Sequence, residues 1–174
     1  MIIYLKNKHT LKVDDFYFKC SIGKNGTTKN KIEGDKKTPK GFFELGQLYY
    51  RKDRIKKIYT KLKLLEIKKS MGWCDDSNNK KYYNKLIKVN KKLKHEKLFR
   101  KDHKYDLLIP IEYNSKKRIL GLGSCIFIHL TNGYKSTAGC IALKKKDFLI
   151  MIKLLEKKIK LEYVSFANQK FLNL

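Results

Sequence analysis

His129 and Cys140 are the residues of this 174-residue chain whose types and setting best suit covalent chemistry. They lie in residues 123–143, GSCIFIHLTNGYKSTAGCIAL, where an apolar run ends in the histidine and a short polar loop follows. Ser136, Thr137, Ala138 and Gly139 then lead into the cysteine and a second apolar run. Nucleophilic cysteine chemistry needs a thiolate, a base to make it, and donors for the oxyanion that develops. A histidine at a strand end and a cysteine just after a tight glycine-containing turn can meet across adjacent strands. The small Ala138 and Gly139 would let backbone N–H groups face a substrate carbonyl. The competing reading is that both residues are buried packing groups, and residue type alone leaves that open. Cys20, Cys74 and Cys125 read as buried thiols, and with no CxxC pair in the chain no metal centre is expected.

Stepping outward, the pattern predicts a mainly β chain of the α+β kind with one helical patch. Residues 2–5 and 11–20 read as a first pair of strands, and 42–50 as an aromatic strand. Residues 105–113 and 119–130 are apolar enough for buried strands, the second interrupted by Gly121 and Gly123. Pro110 suggests a sheet edge or a bulge for the former. Residues 145–158 place Phe148, Ile152 and Leu155 at helical spacing, and 161–166 read as a last strand. Residues 21–41 are a Gly-, Lys-, Asn- and Thr-rich loop ending in Thr38-Pro39-Lys40-Gly41.

Residues 51–104 differ in texture: lysine-rich, with the only tryptophan, Trp73, and a short amphipathic helix expected over 87–99. The chain is therefore read as one catalytic-size domain, 1–174, with 51–104 as an insertion or lid. Trp73, Asp75 and Asp76 either line a cleft and hold an ammonium group, or pin the insertion to the core. Asp53, Arg54, Asp102 and Asp106 are expected to pair at the surface, where pairs contribute little.

The formal net charge is +26, from 42 Lys and Arg against 16 Asp and Glu. Such basicity suits nucleic acid or an anionic envelope surface. Only four of the bases are arginine, the residue that reads phosphate and guanine bidentately, and no helix-turn-helix or RNA-recognition pattern is present. With three alanines beside abundant Lys, Ile and Asn, drift toward AT-rich codons explains the lysines as well. No apolar run reaches the roughly 18–20 residues that span a bilayer, and no secretory signal is visible.

The segment around His129 and Cys140 resembles the active-site motif of the L,D-transpeptidase (YkuD-like) catalytic-domain family, in the branch that reads Thr-Ala-Gly-Cys. Gly23-Lys24-Asn25-Gly26 and Glu33-Gly34-Asp35-Lys36-Lys37-Thr38-Pro39-Lys40-Gly41 are similar to its early glycine-rich stretch. Gly72-Trp73-Cys74-Asp75-Asp76, Tyr83-Asn84 and His95-Glu96-Lys97-Leu98 resemble further landmarks in the same order. The resemblance implies a YkuD-like β-sandwich with a basic, partly helical insertion.

By the same resemblance, Cys140 is the nucleophile, His129 its base and the Leu130 carbonyl the group orienting the imidazole, while Gly139 and Cys140 supply oxyanion N–H groups. Thr137 and Ala138 are read as substrate contacts, joined by Trp73, Asp75 and Asp76 where these line the cleft rather than pin the insertion. The implied partners are peptidoglycan stem peptides, with electrostatic attraction to the anionic envelope and no specific nucleic acid. No cofactor is implied. Transpeptidation is the expected reaction, carboxypeptidase or endopeptidase action the alternative, and the cell envelope the expected location, although a chain without a visible signal also fits the cytoplasm. Two departures stand out: Ala138 replaces the usual histidine, and Ala142 replaces Asn or Arg.

Overall fold

A computed structural model describes residues 1–89, 91–156 and 160–163. The mainly β architecture expected is what forms. The first two elements are β1 (Ile2–Asn7) and β2 (Thr10–Val13), followed by β3 (Phe16–Ser21). Residues 11–20 are thus two strands of a hairpin, because Asp14 takes a left-handed conformation (φ 48°) that short polar side chains tolerate and a continuing strand does not. The glycine-rich loop contains a small parallel pair, β4 (Thr27–Thr28) and β5 (Thr38–Pro39). Residues 42–50 also split, into β6 (Phe42–Glu44) and β7 (Leu48–Tyr50).

The 51–104 segment carries β8 (Leu64–Glu66), β9 (Met71–Cys74), β10 (Leu86–Lys88) and β11 (His95–Lys97). Among the described residues its expected helix over 87–99 does not form: β10 and β11 flank β9 in a three-stranded antiparallel sheet. The apolar residues there serve cross-strand pairing, an instance of tertiary context overriding local pattern. The remaining elements are β12 (Leu107–Pro110), β13 (Phe127–Leu130), β14 (Ile141–Leu143), α1 (Lys145–Leu154) and β15 (Lys160–Tyr163). The expected helix and last strand extend to 158 and 166, and residues 157–159 and 164–166 lie outside the described residues.

Ten strands pair in the order β6-β15-β1-β2-β3-β14-β13-β12-β7-β8. Strand β12 is therefore interior to the sheet, where a proline is not expected. It is tolerated because Pro110 is the last residue of the strand, opposite Phe127, and its carbonyl still accepts from the Gly46 N–H at 2.8 Å. Only the last four residues of 119–130 are strand. The preceding stretch is a loop shaped by Gly121, Gly123 and Cys125 at positive φ and laced by the Asn114 side chain to Ile119 and Gly123.

Both faces of the central strands are buried, which is why β12 and β13 read as continuous apolar runs rather than alternating ones. On one face Ile128, Leu130, Ile141 and Leu143 join Phe148, Met151 and Ile152 of α1. On the other, Phe127, Leu108, Tyr49 and Tyr105 meet Trp73 and Leu98 from the 51–104 segment, and Cys140 belongs to this second cluster.

Candidate functional site

The register of two parallel strands builds the site. In the β13–β14 pair Ile128 faces Ile141 and His129 faces Ala142. Side chains alternate along a strand, so Phe127 and His129 share the face of Cys140 and Ala142, opposite the helix-covered face. Cys140, immediately before β14, and His129, inside β13, are 7% and 6% exposed, and both line one cleft of about 610 Å³.

The turn that delivers Cys140 admits little variation. Gly139 has φ 142°, and a Cβ there would stand 2.9 Å from the Lys37 carbonyl oxygen. Thr137 ties the turn internally: its hydroxyl donates to the Cys140 carbonyl (2.7 Å) and accepts from the Gly139 N–H (3.1 Å). Backbone bonds from Thr137 to Ile22 and from Lys24 to Thr137 fasten it to the early glycine-rich loop. The Gly139 amide is thus engaged, and service in an oxyanion hole would require it to leave the Thr137 hydroxyl.

His129 Nδ1 lies 2.8 Å from the Leu130 carbonyl oxygen. A carbonyl only accepts, so Nδ1 carries the hydrogen and the Nε2 lone pair is left for chemistry. The Tyr105 ring stands edge-on to the imidazole at 5.3 Å, and its hydroxyl donates to Glu96 at 2.7 Å. The Cys140 thiol donates to the Cys125 carbonyl (3.2 Å), and its sulfur accepts from the Phe127 N–H (3.4 Å).

Burial keeps both groups neutral. It pushes the Cys140 thiol up to about 12, with nearby Glu96 adding to the rise and the Phe127 N–H and Lys31 opposing it. It lowers the His129 imidazole to about 4. At neutral pH the resting pair is thiol and imidazole, so any nucleophilic attack by Cys140 would need a proton transfer to accompany bond formation.

Of the remaining residues expected at the site, Thr137, Ala138 and Asp75 line the cleft. One oxygen of Asp75 is buried without a partner, and the other sits 3.8 Å from Lys94 Nζ. Trp73 and Asp76 are not lining residues. Trp73 packs edge-on against Phe127 at 5.2 Å and donates to Asn84, which is the pinning alternative. Asp76 accepts from the Asn78 N–H within a turn.

Sequence reasoning missed several lining groups. Lys31 is 4% exposed, pairs with Asp35 at 2.6 Å and packs its stem against Gly123. Glu96, its carboxyl raised by burial, and Arg100 also line the cleft. Nothing in local spacing marks them; only Glu96, in the run His95-Glu96-Lys97-Leu98, lies in a stretch that matches a family landmark. The expected surface pairing is also corrected. Asp106 is buried and binds Arg54 at 2.9 Å, while Arg51 and Arg100 fork onto Asp53 and Asp102. Among the described residues no cluster of three or more His, Cys, Asp or Glu side chains could hold a metal ion.

The family model of YkuD, the L,D-transpeptidase catalytic domain, matches residues 1–160. A solved structure that is similar is the helical cell shape determining protein Pgp2 from Campylobacter jejuni, at 20% identity and a TM-score of 0.49. That likeness covers 94% of this chain and 47% of the other, so the chain spans about half the length of that protein. No curated protein matches.

Proposed function

Because the chain belongs to the L,D-transpeptidase catalytic-domain (YkuD) family, we propose that it is a cysteine acyltransferase that crosslinks peptidoglycan stem peptides. The observation that carries this reading is that Cys140 and His129 lie on one strand face and open into one cleft, with the imidazole tautomer leaving Nε2 as a base. Cys140 Sγ passes its proton to His129 Nε2 and bonds to an L-centred carbonyl carbon of the donor stem. The C–N bond then breaks, the proton goes to the departing amine, and a thioester remains. An acceptor amine attacks the thioester, gives its proton to His129, and the sulfur leaves to recover the thiol. Water in place of the amine makes the same residues a carboxypeptidase or endopeptidase.

Asp75 supports recognition of a cationic side chain, since its unpartnered oxygen lies in a cleft-lining residue. The 51–104 segment serves as an elaboration of one catalytic domain that walls the cleft. The cell envelope is the expected place of action, where +26 favours anionic wall polymers or lipid. Among the described residues no helix is long and apolar enough to cross a membrane.

The test is mass spectrometry of purified muropeptides incubated with the protein and with Cys140→Ala. A crosslinked dimer made only by the parent supports transpeptidation, and a shortened stem lost in the variant moves the assignment to hydrolysis. No change in either sample defeats the enzyme reading. Nucleic-acid binding through the basic 51–104 segment would instead show salt-sensitive binding that ignores Cys140.

A further inference from the structure

Asn84, within the 51–104 segment, ties that segment to the loop that packs on the cysteine. It takes a left-handed conformation (φ 53°) and is buried. Its Oδ1 accepts from the Trp73 indole N–H (2.9 Å) and from the Cys125 backbone N–H (3.2 Å). Its Nδ2 donates to the carbonyls of Tyr113 and Asn114, each at 2.9 Å. Both acceptor positions and both N–H groups of the amide are used, an arrangement that an aspartate or leucine of the same size cannot reproduce. Cys125 is itself left-handed (φ 54°), unusual for a residue with a β-carbon, so something must hold it there. The carbonyl of that same residue receives the Cys140 thiol.

We propose that Asn84 is a positioning residue which, through the backbone of Cys125, fixes the carbonyl that holds the Cys140 thiol in its protonated resting orientation. The inference rests on the reading of Cys140 as the nucleophile. A carbonyl that accepts an S–H bond favours the neutral thiol and turns its lone pairs toward a thiolate. Releasing Cys125 therefore makes Cys140 easier to ionise while leaving it badly aimed at a substrate carbonyl. The other groups facing the sulfur belong to different elements: Glu96 of β11, Tyr105 just before β12, Lys31 of the glycine-rich loop, and His129 and the Phe127 N–H of β13. Removing one amide leaves them in place.

Asn84→Gly isolates the side chain, because glycine adopts the left-handed backbone without steric strain. Trp73→Phe is the matched control, removing one donor to Oδ1 and leaving the contact to Cys125. Cys140 alkylation by iodoacetamide is followed across pH by peptide mapping, together with turnover on muropeptides. In Asn84→Gly, Cys140 is expected to react about fivefold faster near pH 7.5 while kcat for acyl transfer falls about tenfold. Cys20 and Cys74 stay as slow as in the parent, and Trp73→Phe stays within about twofold on both readouts. An unchanged Cys140 profile overturns the proposal. So does simultaneous reaction of Cys20, Cys74 and Cys140, which would reduce Asn84 to holding the fold. Should the parent transfer no acyl group while alkylation still shifts, the positioning role survives and the proposed reaction does not.

Discussion

The Cys140 thiol donates to the backbone carbonyl of Cys125, 3.2 Å away, while the His129 ring donates to the carbonyl of its own neighbour Leu130 at 2.8 Å. Two neutral groups are each held by a main-chain acceptor, and the lone pair that would take the thiol proton is kept free. In the proposed reaction, proton transfer between them would therefore begin only with a substrate in place.

Stability should fall on the acid side because of His129. Its folded-state value of about 4 lies below the ordinary 6.5, so the unfolded chain binds the proton first as pH drops. The stabilisation is whole above about pH 6.5 and is lost progressively down to about 4. Near pH 5 the loss from this one group is about 2 kcal/mol. Urea melts of the parent between pH 7 and 5 should show it, and His129→Asn should lose correspondingly less over the same interval.

Glu96 faces Cys140 and raises its thiol. Glu96→Gln removes that charge while an amide oxygen can still accept from the Tyr105 hydroxyl. Cys140 alkylation should then begin at lower pH than in the parent, and an unmoved profile would show that the carboxylate is not felt at the sulfur.

Gly139→Ala places a Cβ 2.9 Å from the Lys37 carbonyl at a backbone angle that side chains rarely adopt. The expected cost is about 2 kcal/mol or more of stability. Turnover should fall further than stability explains, since the shift reaches the next residue, Cys140. Thermal melts and muropeptide turnover measured together separate the two effects.

Arg54→Met should destabilise by about 2–3 kcal/mol, because Asp106 is buried and, among the described residues, would keep only His103 as a side-chain partner. Arg100→Met, whose partner Asp102 is 41% exposed at its side chain, should cost about 1 kcal/mol or less in denaturant melts.

Attraction to the anionic envelope is testable without catalysis. Pelleting with purified wall sacculi should weaken steeply as salt rises and should be the same for Cys140→Ala.

The apolar runs of β12, β13, β14 and α1 were legible in the sequence because burial of those elements is written in their own residue types. The turn before Cys140 was legible from its small residues Ala138 and Gly139, while the φ of 142° at Gly139 came only with the structure. The cysteine–histidine pair needed the resemblance as well, since a lone buried cysteine and histidine carry no signal of their partnership.

The 51–104 segment was misread as partly helical because the short apolar stretches of β10 and β11 take their meaning from β9 between them, which no local window contains. Pro110 was misjudged likewise, since the tolerance for it depends on where the strand ends and on Gly46, far away in sequence. Residue types and their spacing determined which groups could react and which strands would be buried. The tertiary structure alone decided that Phe127, His129 and Cys140 share a face, that Asn84 reaches Cys125, and that Lys31 and Glu96 flank the sulfur. Those are relations between segments from 11 to more than 100 residues apart, fixed by sheet register and packing rather than by any local preference.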